Sequence, residues 1–297
     1  QGFVRHPWLF KAYVHWQGKA SSIRHGTYHL PPELSPKQLL DTLVKGAPQI
    51  EIRVTIPEGK NIVDIAGILE AKGICSKDDF LKAALSPTPT RKHGLESKTA
   101  EGYLFPDTYQ FPAGSEPADI IDIMVRRHIK GFISVRKNYP ERMHWFRRTL
   151  GWGHHEILTL ASIVEKETGQ AIERPRIAGV FLNRLLFRSF RSKLLQTDPT
   201  IIYGCTVPKL KSEACKQFEG RIRRMHLVDK NNVYNTYTHK GLPPGPISNP
   251  GEEAIRAIFE PEKSRYLFFV SKNDGTHYFS TSEAEHERAV DKFQRNL

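Results

Sequence analysis

Two glutamates, Glu165 and Glu167, stand one residue apart in LASIVEKETG (residues 160–169), at the close of an apolar run. A carboxyl group lodged among apolar side chains has its charged form disfavoured, so it can stay protonated near neutral pH and act as a general acid. On a helix advancing about 100° per residue, Ile157, Leu160, Ala161, Ile163 and Val164 make one apolar arc. Glu167 falls inside that arc, Glu165 at its edge, and Ser162 and Lys166 on the far side. The spacing makes Glu167 the candidate acid and gives Glu165 a surface ion pair. The structural alternative for Glu167 is a buried pair with Arg174 or Arg176.

Two further stretches have the inventory of a sugar site. LQTDPTIIYG (195–204) and YNTYTHKGLPPGPISNP (234–250) combine amides, hydroxyls and tyrosines with turn residues that stiffen the loop. Aromatic faces and amide or hydroxyl groups are the usual partners of a glycan, although GLPPGP also fits a stiff connector. GWGHHE (151–156) lacks the second histidine of HExxH, so no zinc site is expected. The phosphate-loop, dinucleotide and nucleophile-elbow signatures are absent, and no cofactor is expected.

The 297-residue chain is long enough for two domains, and 39% hydrophobic with 26% charged residues suits a soluble globular protein. Its apolar stretches are far shorter than the roughly 20 residues that span a bilayer. It opens on Gln1 with no signal peptide, so a targeting or anchoring segment trimmed from the chain is an expectation. The net charge of +12 favours a polyanionic partner. The basic residues are scattered, however, and no nucleic-acid-binding motif accompanies them, so nucleic acid is not expected. A nucleic-acid binder would instead show a continuous basic face and strongly salt-dependent affinity. Cys75 reads as a small buried hydrophobe. Cys205 and Cys215 flank a short loop that either a disulfide closes or two reduced thiols border.

The elements that must position these residues make an α+β chain. Ser35 can cap a short helix, and Ile50, Ile52, Val54 and Ile56 alternate as in a half-buried strand. Helices follow over 61–73 and 76–85, so residues 48–85 read as a strand–helix–helix module preceded by residues 1–47. Residues 86–100 are rich in Pro, Ser, Thr and Lys and read as a linker. The larger, mainly helical part, 101–297, carries helices over 115–135, 154–168, 174–187, 249–261 and 280–294. In it Ser115 and Asn249 are expected as caps, and a hairpin over 266–280 turns at Asp274–Gly275.

EGYLFPDTYQFP, LASIVEKETG, FLNRL, LQTDPTIIYG and YNTYTHKGLPPGPISNPGEEAI, in that order across 101–297, strongly resemble the YceG-like (MltG) family of endolytic murein transglycosylases. The resemblance implies that residues 48–85 are a LysM-like module, that 1–47 are the truncated start of that region, and that 101–297 form the catalytic domain. It implies an inner-membrane enzyme with a single-pass anchor, absent from this chain, whose catalytic domain faces the periplasm. Such an enzyme cuts the β-1,4 bond between N-acetylmuramic acid and N-acetylglucosamine in nascent peptidoglycan strands, leaves 1,6-anhydromuramyl ends, and works near penicillin-binding proteins. The family's catalytic acid is the second glutamate of E-K-E-T, here Glu167. Glu101, Gln196, Thr197, Asn235 and Tyr237 are the candidates for positioning the glycan. The competing reading is a peptidoglycan-binding protein that does not cut.

Overall fold

The computed structural model describes residues 6–24, 28, 30–31, 33–46 and 51–295. The chain divides into two compact units, 1–51 and 52–297. In the first, helix α1 (Pro7–Trp16) packs on α2 (Pro36–Lys45), burying Val14, Leu39 and Leu40. Ser35 caps α2 reciprocally: its hydroxyl accepts from Gln38 N, and Ser35 N donates to the Gln38 side chain. Ile50, the first residue of the expected strand alternation, lies outside the described residues.

The second unit opens with β1 (Glu51–Thr55), which begins at the boundary, then α3 (Ile62–Ala71), α4 (Lys77–Ala84) and α5 (Thr88–Arg91). Asn61 and Ser76 cap α3 and α4 with side-chain oxygens on the orphan amides of the first turn. Next come β2 (Thr108–Pro112), α6 (Pro117–Arg136), α7 (Pro140–Leu150), α8 (His154–Glu167) and α9 (Arg174–Leu186). Then follow α10 (Asp198–Thr206), α11 (Glu213–Lys216), α12 (Arg224–Leu227) and α13 (Glu252–Phe259). The antiparallel hairpin β3 (Phe268–Ser271) and β4 (His277–Ser280) and helix α14 (Glu283–Val290) close the unit.

The structure departs from the expected division into a 48–85 module, an 86–100 linker and a 101–297 domain. β1 pairs with β2, Ile56 N donates to Asp107 O (2.9 Å), and the Thr55 and Thr108 hydroxyls meet at 2.8 Å. Val54, Ile56, Ile62, Leu69 and Phe80 belong to the same buried cluster as Tyr103, Phe111, Ile121 and Val125. The 86–100 stretch holds α5, which packs on α6, and Ala100 N bonds Ala84 O at 2.7 Å. Composition marks that stretch as polar, but its backbone is folded into the body.

Helix α8 sits at the centre, packed by α9 and α13, and every residue from Ile157 to Val164 is buried. A helix enclosed on all sides has no solvent face to be read from periodicity. Its expected far side is covered at Ser162, whose Oγ accepts from Ile247 N (3.0 Å) and whose carbonyl accepts from Ser248 Oγ (3.2 Å), while Lys166 in the last turn is exposed. Two caps also differ from expectation. Glu116, not Ser115, precedes α6, and Gly251 precedes α13. Asn249 instead ties segments together, accepting from Leu104 N and donating to Lys60 O and Glu101. Cys205 and Cys215 form a disulfide that links α10 to α11, and Cys75 is a half-buried free thiol.

Candidate active site

Glu167 is the last residue of α8, where the chain turns extended at Thr168. It is half-buried, and its Oε1 is sealed from solvent with no hydrogen-bond partner among the described residues. Burial pushes its carboxyl up to about 7, against the stabilising influence of the Thr197 hydroxyl and with the Asp198 charge adding to the rise. The negative end of the α8 dipole disfavours the carboxylate in the same sense. Arg184 pulls the other way but makes no ion pair with Glu167. Its guanidinium is held by the carbonyls of Leu267 (2.6 Å) and Leu195 and lies over the rings of Phe190 and Phe268. A cation anchored in this way shapes the field around the acid without neutralising it.

Glu165 takes the role expected of a structural acid, but in the interior. Its side chain is 5% exposed; Oε1 meets Arg174 at 2.6 Å and Oε2 accepts from Gly251 N at 3.0 Å. The surface pair expected for Glu165 is therefore replaced by a buried one, because the segment before α13 covers that side of α8. Arg174 is thereby engaged with Glu165 and Glu58, and Arg176 with Glu262, so neither neutralises Glu167.

A cleft of about 520 Å³ opens at Glu167, with Arg184, Gln196, Asp198, Tyr237 and His277 among its walls and the hairpin and α14 along one side. Gln196 holds a left-handed backbone (φ +52°), sparsely populated for a residue with a side chain, and its amide donates to Thr236 O. Thr197 is buried beside the acid; its amide donates to the Thr236 hydroxyl, which also meets Thr200 Oγ1 at 2.9 Å. Tyr237 donates its hydroxyl to Asp198 (2.7 Å). His277 presents an imidazole fixed by Glu173, with Nδ1 2.7 Å from Glu173 Oε2.

Of the glycan-positioning candidates, the structure brings Gln196, Thr197 and Tyr237 to Glu167 and places two elsewhere. Glu101 is buried, accepting from Ile62 N (3.1 Å) and from Asn249 Nδ2 (2.9 Å), and burial pushes its carboxyl up to about 8. It secures the start of α3 to the 249 segment and is not part of the cleft lining. Asn235 spends its amide on the carbonyls of His226, Leu227 and Asp229 and its Oδ1 on Tyr237 N, leaving no group for a glycan. It shapes the loop that presents Tyr237. The 101–109 segment packs by the opposite end of α8, where Tyr103 Oη meets His155 Nδ1 at 2.9 Å. Residue types alone missed Arg184, His277 and the hairpin wall. The signal for Arg184 was present: an arginine in the apolar run FLNRLL of a helix.

A protein-family model described as the YceG-like family matches residues 1–292. The chain is 31% identical over 304 residues to an endolytic murein transglycosylase of Bacillus subtilis (strain 168), covering 96% of this chain and 76% of that one. It is 29% identical over 325 residues to an endolytic murein transglycosylase of Streptococcus pneumoniae (serotype 2, strain D39), covering 97% of this chain and 54% of the relative. The chain thus spans about three-quarters of the first relative and about half of the second. Among solved structures, a yceG-like protein from Listeria monocytogenes superposes with a TM-score of 0.64 at 30% identity, over 95% of this chain and 90% of that chain.

Proposed function

This chain belongs to the YceG-like family, and on that footing we propose that it is an endolytic murein transglycosylase with Glu167 as its acid. The observation that carries the assignment is an unpaired carboxyl, one oxygen sealed and the group raised to about 7, at the edge of a polar cleft. A group with that pKa is partly protonated at neutral pH, as a general acid must be.

The substrate is the β-1,4 bond between N-acetylmuramic acid and N-acetylglucosamine. Glu167 gives its proton to the glycosidic oxygen as the C1–O bond breaks. The muramyl C6 hydroxyl then bonds to C1 and returns its proton to the Glu167 carboxylate, leaving a 1,6-anhydro ring. Intramolecular attack has a high effective concentration, so a single carboxyl suffices where a hydrolase uses two. Gln196, with its fixed backbone, and Tyr237, held by Asp198, are placed to orient the sugars. Mass analysis of products from purified murein tests the reading. Anhydromuramyl ends are expected from the intact chain, and about 10²–10⁴-fold more slowly from Glu167→Gln. Binding without cutting would instead identify a peptidoglycan-binding protein.

The Cys205–Cys215 disulfide supports an oxidising compartment outside the cytoplasm. No helix among the described residues is long and apolar enough to cross a membrane, and a single-pass anchor in the inner membrane is proposed from the family reading alone. Penicillin-binding proteins, which polymerise the strands, are the proposed partners. Co-purification of the full-length protein with them, from crosslinked cells, tests that part.

A further inference from the structure

A second cleft of about 840 Å³, larger than the one at Glu167, lies against α7 and the segment after α13. It shares Arg142, Trp145, Pro261 and Lys263 with an adjoining depression of about 370 Å³ along α9, so the two make one groove. That groove ends at Asn183, Leu186 and Phe187, and Arg184, the residue after Asn183, lines the acid's cleft.

The groove combines cations with an aromatic floor. The Arg142 guanidinium lies 4.1 Å from the Trp145 ring centroid and 4.9 Å from that of Phe146, and its Nε is sealed without a hydrogen-bond partner among the described residues. Arg148, Lys263 and Arg265 add exposed positive charge, and none of these four cations has a carboxylate within ion-pair distance among the described residues. Facing them are Glu141 and Glu260, the latter accepting the Tyr139 hydroxyl at 2.8 Å, while Glu262 is engaged by Arg176. Unpaired arginines and lysines beside a half-buried indole suit a ligand with carboxylates on a scaffold of apolar ring faces.

We infer that this groove is an accessory site for the murein strand, taking the carboxylates of its stem peptides and resting a sugar face on Trp145. The inference rests on the activity proposed above and extends it. A strand cut internally continues past the cleft on both sides, and this groove meets α9, one wall of the cleft. Arg142 holds the floor and Arg148 and Lys263 meet the anionic groups.

The test uses the Glu167→Gln chain, so that strands persist, and two double variants that each remove two exposed charges: Arg148→Gln/Lys263→Gln in the groove and Lys72→Gln/Lys130→Gln elsewhere. Circular dichroism confirms the fold of each. The probes are soluble murein strands with uncrosslinked stem peptides, and the same strands stripped of peptides. The groove variant should bind peptide-bearing strands about 10-fold more weakly than the control, the loss expected for two charge-assisted contacts. Stripped strands should bind both variants alike. Equal affinity of the two variants for peptide-bearing strands overturns the inference. So does groove-dependent binding of an anionic lipid vesicle or a teichoic acid polymer without groove-dependent binding of murein. The intact chain is assayed in parallel for cleavage: cutting with equal variant affinities rejects only the groove, whereas neither cutting nor binding rejects the underlying activity.

Discussion

At the scale of single residues, the proposed mechanism divides the two glutamates of E-K-E between structure and chemistry. Replacing Glu167 by Gln keeps the shape and removes the proton, so cleavage should fall by about 10²–10⁴-fold, the span of general acid catalysis, with the melting temperature nearly unchanged. The pH profile follows from the same group. An acid raised to about 7 is lost as pH rises through that value, so kcat/KM should decline on the alkaline side of about 7. A profile flat from pH 6 to 9 would remove Glu167 from the proton transfer. Glu165→Gln should behave in the opposite manner. It breaks a pair whose side chains are 5% and 9% exposed, leaving Arg174 with only the 3.3 Å contact to Glu58, and should cost about 3 kcal/mol by chemical denaturation. Activity of the remaining folded protein should persist. The helical-face reading put Glu167 on the core-facing arc, where its Oε1 is sealed from solvent, but misjudged Glu165, because periodicity cannot show that the segment before α13 folds over the face it assigns to water.

At the scale of elements, the cleft depends on how α10 is held. Thr197 and Asp198 lie at the start of that helix, and its far end is tied twice: by the Cys205–Cys215 disulfide, and by Asn232, whose Nδ2 reaches Ile201 O and Cys205 Sγ. Gly204 lets Asn232 approach, since a Cβ there would lie 2.0 Å from Asn232 Oδ1. Gly204→Ala should therefore displace a buried amide and raise KM through the cleft wall while leaving the Glu167 carboxyl in place. A KM equal to wild type would show that α10 is positioned by other contacts. Cys215→Ser opens a loop of sequence separation 10 and should lower stability by about 2–3 kcal/mol in unfolding titrations. The helices of 52–297 with strong apolar spacing, such as α3, α8 and α9, were legible in the sequence, as was the hairpin turn, where Asn273 and Gly275 adopt positive φ. Helix α7 was not, because its sequence PERMHWFRRTL buries only Met143 and Phe146 and is otherwise polar or basic.

At the scale of the whole molecule, the error in the sequence reading has a physical cause that can be tested. A polar stretch between two sets of capped helices resembles a boundary, yet burial is settled by what returns to cover a segment, which local composition does not encode. Here β2 supplies β1 with its partner strand, α6 packs on α4, and Glu101 caps the start of α3 from beyond the supposed linker. Removing residues 52–85 would expose Phe111, Ile121 and Val125, and leave Glu101 without the Ile62 amide it now accepts from. Residues 52–297 should therefore unfold as one cooperative body. Calorimetry of that span is expected to show one transition with equal calorimetric and van't Hoff enthalpies. A chain starting at residue 101 should fail to give a cooperative transition, since a buried carboxyl oxygen left without its donor and a bared apolar face are together a large part of a typical domain's stability. Two separated transitions, or a stable, active 101–297 fragment, would restore the division that composition suggests and would move the murein-cutting activity to that fragment alone.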